Sequence, residues 1–211
     1  MLATIKVGSD PYGIAVAQGS VWVANYNDGT ISRIDASTGN VLGTISVGSR
    51  PFAIAVGQGS VWVTHYMGRV SRIDAATGRV RGTISVGTGP AGIAVGQGGV
   101  WVANFQDNTV SRIDAGTGKV LDTITVGSGP FGVAVGQGSV WITNLGDNTV
   151  SRIDAGSGKV LDTIRVLSGV EGVALGQGSV WVTNHPDSML TRIDTSTGKV
   201  RGSPISVGTR P

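Results

Sequence analysis

Three features predict an all-β chain: five tryptophans at a nearly constant interval, a Ser-Arg-Ile-Asp signature in phase with them, and glycine at 35 of 211 positions. Together they specify a β-propeller of four-stranded blades about 40 residues long, with five repeats in the chain. Trp22, Trp62, Trp101, Trp141 and Trp181 are spaced 40, 39, 40 and 40, and no other tryptophan occurs. The second marker runs Ser32-Arg33-Ile34-Asp35, Ser71-Arg72-Ile73-Asp74, Ser111-Arg112-Ile113-Asp114, Ser151-Arg152-Ile153-Asp154 and Thr191-Arg192-Ile193-Asp194. A Gln-Gly pair precedes each tryptophan, at Gln18, Gln58, Gln97, Gln137 and Gln177. The copies tile the chain as one domain, 1–211: an N-terminal rim strand over about 3–8, then blades over about 9–48, 49–87, 88–127, 128–167 and 168–208.

The third copy shows the elements in order. Gly92-Ile93-Ala94-Val95 is a short apolar strand that ends in the turn Gly96 to Gly99. Val100-Trp101-Val102 is β-branched and aromatic, and leads into the polar loop Asn104 to Asn108. Val110 to Asp114 alternates as a third strand, Gly116-Thr117-Gly118 reverses the chain, and Val120 to Val126 makes a fourth. No segment carries a sustained helical period.

Composition excludes several classes. A hydrophobic content of 40% with a net charge of +3 is not that of a disordered chain, and the glycines lack the three-residue period of collagen. With no cysteine there is no disulfide framework, thiolate metal site or Cys nucleophile. No apolar run approaches the length of a membrane-spanning helix.

The repeated units Pro130-Phe131-Gly132-Val133-Ala134-Val135, Val140-Trp141-Ile142-Thr143-Asn144 and Asp147 to Asp154 resemble the YVTN family and the related NHL and YncE-type propellers. The resemblance covers essentially the whole chain. It implies an inner strand lining a channel and a fourth strand at the rim. It also implies a place among surface proteins, sensor domains, nucleic-acid binders and a few enzymes, often extracellular, cell-surface or periplasmic.

In such a fold small residues such as Gly13-Ile14-Ala15-Val16 suit the converging inner strands, and each Trp packs between neighbouring blades. Arg33, Arg72, Arg112, Arg152 and Arg192 lie two residues before an Asp, so each pair shares a strand face. Five such pairs suggest inter-blade hydrogen bonds, with each Arg stacked on the Trp of the adjacent strand.

The ends carry six rim-strand sequences for five blades. Ala3 to Gly8 and Pro204 to Gly208 both match Gly43 to Gly48. Ser203-Pro204 stands where the second copy has Thr83 alone, which adds a residue and removes a backbone donor, so the C-terminal copy is the weaker candidate. The expectation is a closed five-bladed ring. The alternatives are a segment of a larger propeller, or strand exchange and oligomerisation through the spare strand.

With blade topology of this kind, the loops before the first strand and between the second and third share one face. Those loops hold Tyr12, Tyr26, Phe52, Tyr66, Phe105 and Phe131, with His65, His185, Arg50 and the chain's single glutamate, Glu171. The opposite turns are nearly identical in every copy. Varied aromatics on one face and uniformity on the other point to a ligand-binding face. A closed ring would bring blades five, one and two together, gathering Glu171, His185, Asp10, Tyr12, Tyr26, Arg50, Phe52, His65 and Tyr66 in one sector.

The function expected is a non-catalytic binding or scaffold module for a peptide, glycan or small molecule, without cofactor or metal. Nucleic-acid binding is an alternative supported by a sequence pI of about 9.6 and the YncE-type resemblance. Against it, Arg79, Arg81, Lys119, Lys159 and Lys199 lie near the opposite turns or the rim. A further alternative is an enzyme similar to the streptogramin lyases, propellers that use His and Glu on one face; Glu171 and His185 are the acid–base pair available. Near-identical copies are also what engineering or recent duplication leaves, without an evolved ligand.

Overall fold

The computed structural model describes residues 4–185 and 187–208. Blade 1 comprises β1 (Pro11–Ala17), β2 (Ser20–Asn25), β3 (Thr30–Asp35) and β4 (Val41–Ser46). Blade 2 comprises β5 (Pro51–Gly57), β6 (Ser60–His65), β7 (Arg69–Asp74) and β8 (Val80–Ser85). Blade 3 comprises β9 (Pro90–Gly96), β10 (Gly99–Asn104), β11 (Thr109–Asp114) and β12 (Val120–Thr125). Blade 4 comprises β13 (Pro130–Gly136), β14 (Ser139–Asn144), β15 (Thr149–Asp154) and β16 (Val160–Arg165). Blade 5 comprises β17 (Val170–Gly176), β18 (Ser179–Asn184), β19 (Met189–Asp194) and β20 (Ile205–Ser206). Each blade is an antiparallel sheet in sequence order, so the propeller architecture read from the repeats is the one found.

Local chemistry sets the turns. Gln97 and Gly98 both adopt left-handed backbone, at φ 51° and 76°, the pair that a two-residue hairpin of right-handed twist needs. At the next reversal Asp114 accepts hydrogen bonds from the backbone N–H and hydroxyl of Thr117, both at 2.6 Å, which closes the turn on its own carboxylate. The equivalent aspartates in the other blades do the same, so they cap their own turns and do not bridge blades.

The inner strands run side by side in the series β1, β5, β9, β13, β17. They approach closely: a Cβ on Gly92 would lie 2.2 Å from the Phe131 carbonyl oxygen, so only glycine fits at that crossing. The core is not inside blades but between them. Trp62, Val70 and Ile84 of blade 2 pack on Val100, Val102, Ile113 and Ala115 of blade 3, and the same grouping recurs at the other three junctions. Each blade therefore presents a Trp face to its successor and a Val-Ile face to its predecessor.

Arginine stitches the junctions. Its guanidinium lies 4.9–5.1 Å from the centroid of the neighbouring Trp ring in all five blades. From there Nη1 donates to a turn carbonyl of the next blade: Arg33 to Ala76, Arg72 to Gly116, Arg112 to Gly156 and Arg152 to Ser196.

The five blades form an open arc, not the closed ring expected. β17 does not pack beside β1 as the other inner strands pack beside each other. Ile14 and Val16 of β1 are 65% and 68% exposed, whereas Ile54 and Ile93, at the position of Ile14 in blades 2 and 3, are each 9% exposed. A ring would have covered β1 with β17.

The contest between terminal strands is also resolved. The C-terminal copy pairs with β19, through Leu190–Ile205 and Met189–Ser206. Pro204 and the extra residue shorten this strand to two residues but do not abolish it. Ala3 lies outside the described residues. Residues 4–8 form no sheet pairing; Ile5 instead seats its Cδ1 against Gly39 of blade 1, as Ile45 of blade 1 does against Gly78 of blade 2.

Candidate functional site

Two sets of equivalent positions build the aromatic face. The first follows the residue that opens each inner strand: Tyr12, Phe52, Ala91, Phe131 and Glu171. The second follows the last residue of each second strand: Tyr26, Tyr66, Phe105, Leu145 and His185. A backbone hydrogen bond brings the two sets together in four blades, as from Tyr26 N–H to the Asp10 carbonyl at 2.9 Å and from Phe105 N–H to the Gly89 carbonyl at 3.0 Å. Bulges in the pairing of first and second strands free residues such as Tyr12 and Gly13 from the ladder and turn them toward the face.

The rings join into one row. Tyr26 and Tyr12 lie 6.4 Å apart, and Tyr12 stacks on Phe52 at 4.3 Å with an interplanar angle of 31°. Phe52 meets Phe131 edge-on at 6.5 Å, and Phe131 meets Phe105 likewise at 6.5 Å. Phe131 reaches Phe52 across blade 3 because Ala91, the member of the first set there, is small. Tyr66 stands beside the row with its hydroxyl oxygen accepting a 3.0 Å hydrogen bond from Gln106 Nε2. Tyr12, Tyr66 and Phe105 are exposed, while Tyr26, Phe52 and Phe131 are half-buried.

The row is concave at blades 1 and 2. Asp10, Tyr12, Tyr26, Phe52 and Tyr66 line a hollow of 260 Å³. Tyr26 also borders an adjoining groove of 490 Å³ whose wall includes Asn27, Asp28, Gly48, Ser49 and Arg50. Together these are of the size that binds small molecules and short segments of polymer.

Backbone conformation marks the same place. The residue before each inner strand is left-handed, and in blades 3, 4 and 5 it is glycine: Gly89, Gly129 and Gly169. In blades 1 and 2 it is Asp10 at φ 55° and Arg50 at φ 54°. A left-handed arginine costs about 1–2 kcal/mol relative to glycine, and such strain collects at functional sites. Asp10 and Arg50 thus bring the face a carboxylate and a guanidinium at a conformational cost that the other blades avoid.

The sequence placed His65 on this face. The structure buries it instead, in the position held by Asn25, Asn104, Asn144 and Asn184 in the other blades. Its Nδ1 lies 3.1 Å from the Ser49 carbonyl and its Nε2 2.8 Å from Ser71 Oγ. A carbonyl only accepts, so Nδ1 carries the proton and Nε2 accepts from the Ser71 hydroxyl. Burial pushes the His65 pKa below its ordinary value; the bond to Ser49 opposes this and Arg69 adds to it. His65 is a strut under the Ser49–Arg50 linker and presents no nitrogen to a ligand.

Glu171 and His185 are exposed members of the two sets, but both belong to blade 5. Because the arc is open, blade 5 is not the neighbour of blade 1, and the sector that was to unite them with Tyr12, Tyr26, Arg50, Phe52 and Tyr66 does not form. Among the described residues, no three His, Asp or Glu side chains converge in the manner of a metal site. Gln106 escaped the sequence reading. Its signal was its place in the loop after Phe105, one position beyond the second aromatic set, which aims it at Tyr66 of the preceding blade.

The loop aspartates are occupied elsewhere. Asp28, Asp107 and Asp147 accept from the backbone N–H groups of Ser9, Thr88 and Ser128 at 2.7, 2.7 and 2.9 Å. They clamp the blade linkers that carry the first aromatic set.

Comparison with known proteins fits this architecture. The profile of the Virginiamycin B lyase family matches residues 2–205, in keeping with the propeller-repeat resemblance. No curated protein matches the chain. Among solved structures, the crystal structure of the computationally designed Ika8 protein superposes with a TM-score of 0.81 at 19% identity, covering 95% of this chain. The chain spans 63% of that protein's length. Hydrazine synthase from Kuenenia stuttgartiensis superposes with a TM-score of 0.77 at 20% identity, over 97% of this chain and 69% of its own. A chain of the mitotic checkpoint complex gives 0.82 at 17% identity, over 91% and 63%. Likenesses at these identities concern the fold alone.

Proposed function

The chain belongs to the virginiamycin B lyase family, and from that premise we propose that it is a non-catalytic binding module that holds a peptide, glycan or small molecule on its aromatic face. The observation that carries this reading is the continuous row Tyr26–Tyr12–Phe52–Phe131–Phe105, hollowed where Asp10 and Arg50 sit in left-handed backbone. Flat rings receive the apolar face of a ligand. The Tyr12, Tyr26 and Tyr66 hydroxyls, Asp10 and Arg50 offer hydrogen bonds around its edge. Such a ligand combines a flat apolar surface with polar groups at its margin.

A second reading, lyase chemistry, is favoured by the family's name. Glu171 and His185 would supply the acid and base, from exposed positions on the end blade. Against it, no side-chain hydrogen bond or ion pair among the described residues orients either group.

Probing peptide and glycan arrays with the full chain and with Tyr66→Ala tests the first reading. Binding by the full chain that falls at least tenfold in the variant supports it; equal signals, or none, refute it. Incubation with virginiamycin B, followed by chromatography for its consumption, tests the second. The binding reading expects no turnover.

A further inference from the structure

Blade 2 is one residue shorter than blades 1, 3 and 4, and the backbone identifies what is missing. The Gly68 carbonyl accepts from the Val86 N–H at 3.0 Å, as the Asn108 carbonyl accepts from the Val126 N–H at 3.0 Å. Both acceptor residues are left-handed, at φ 77° and 56°. Gly68 therefore holds the place of Asn108, and Met67 that of Gln106. The residue absent between them is the loop aspartate, which is Asp28, Asp107, Asp147 and Asp187 in the other blades.

Its loss frees the linker into blade 2. Elsewhere this carboxylate accepts from the N–H of Ser9, Thr88 or Ser128 at 2.7, 2.7 and 2.9 Å, or from the Ser168 hydroxyl at 2.8 Å. The equivalent linker residue here is Ser49. Its carbonyl is held by His65 Nδ1, but its N–H has no acceptor among the described residues. Gly48 before it turns left-handed at φ 94°, which Gly8, Gly87 and Gly127 do not. A Cβ added to Gly87 or Gly127 would meet the aspartate Oδ2 at 2.7 and 2.8 Å; one added to Gly48 meets nothing within 4 Å. The space is a pocket of 80 Å³ bordered by Gly48, Ser49, His65, Met67, Arg69 and Thr83.

A second change reverses the local charge. Thr30, Thr109 and Thr149 share one position at the start of the third strand, and Thr149 donates its hydroxyl to Asp147 at 2.7 Å. Blade 2 has Arg69 there, paired across the ladder with His65. Arg69 forms no ion pair among the described residues. Where the other blades keep an anionic side chain, blade 2 thus presents an unpaired cation and an unpaired N–H.

We propose that this pocket is a carboxylate-binding subsite, in which the carboxylate of a ligand takes the place of the deleted aspartate between Arg69 and the Ser49 linker. The fold already uses a carboxylate against the linker in every other blade. A guanidinium adds the planar donor fork that matches two carboxylate oxygens. The 80 Å³ volume is half the roughly 150 Å³ that holds a benzene ring, so the pocket admits a terminal carboxylate and no aromatic ring. Arg50, next to Ser49, lines the adjoining groove and adds a second cation. The subsite goes beyond the aromatic row and does not depend on it.

Backbone NMR titration of the full chain with sodium acetate tests this, with sodium chloride holding the ionic strength constant. Saturable shifts at the Ser49 and Arg69 amides are expected. Arg69→Thr, which restores the residue of blades 1, 3 and 4, should raise the apparent Kd at least tenfold. Inserting an aspartate after Met67 supplies the carboxylate from within and should abolish the response. N-acetylglycine and glucuronate separate a peptide terminus from a sugar acid: either one acting at lower concentration than acetate supports the subsite and names the source. Absence of a saturable shift at Ser49 and Arg69 overturns the proposal. So does an unchanged Kd in Arg69→Thr or in the inserted chain. Acetate offers no ring-sized apolar face, so this result is independent of the Tyr66→Ala comparison on arrays.

Discussion

His65 stands where four other blades carry asparagine, and it is held by burial in its neutral form. Its folded pKa is depressed, so the unfolded chain binds more protons below 6.5. Stability from this residue is complete above pH 6.5 and is lost as pH falls through the folded pKa. His65→Asn, which restores the residue that donates to Ser111 in blade 3, should flatten that slope. Melting midpoints of both proteins between neutral and mildly acid pH check it. Arg50 makes the opposite trade. Arg50→Gly relieves the left-handed backbone and should stabilise the fold by about 1 kcal/mol in chemical denaturation while weakening ligand binding. The turn aspartates add a second acid limb. Hydrogen bonds from Ser37 and Thr38 hold Asp35 down to about 2 from an ordinary 3.8. The Arg81 guanidinium and then Thr77 lower Asp74, and bonds from the turn Thr117, Ser157, and Ser196 with Thr197 lower Asp114, Asp154 and Asp194. Depressed carboxylates stabilise above their unfolded value. The melting midpoint should therefore drop again as pH falls below 3.8.

At the scale of the element, the blade is stable through its junctions. Trp62 is enclosed by blade 3, so Trp62→Ala should cost about 3–5 kcal/mol in chemical denaturation. Trp181 is half-buried in this chain, so Trp181→Ala should cost clearly less. Much of this level was legible in the sequence. Trp101 and Arg112 recur with the blade, their strand alternation follows from a two-residue period, and the Gln97-Gly98 turn announces itself by composition. What was not legible is direction. His65 sits at a loop entrance like its exposed neighbour Tyr66, and only the pairing of β6 with β7 turns it inward onto Ser71. The Asp114 carboxylate was read as reaching across blades, yet Thr117, three residues away, satisfies it first.

For the whole molecule, the five-blade count was written in the tryptophan spacing, but the closure was not. Whether blade 5 meets blade 1 depends on the angle at each junction, the product of many contacts such as Trp22 on Val61 and Val63. No single residue encodes it. The open arc separates Glu171 and His185 from Tyr12 and Arg50, so the proposed binding surface is the hollow at blades 1 and 2. The aromatic face and the uniform turn face lie at opposite ends of every strand, so a ligand on one is insulated from changes on the other. Titration calorimetry of an array-selected ligand against the full chain, Tyr66→Ala and Lys119→Ala, the last in the turn face, is the most direct measurement. Full affinity in Lys119→Ala with at least a tenfold loss in Tyr66→Ala is the predicted result. Equal affinity in all three proteins, or loss in Lys119→Ala alone, would contradict a binding site on the aromatic face.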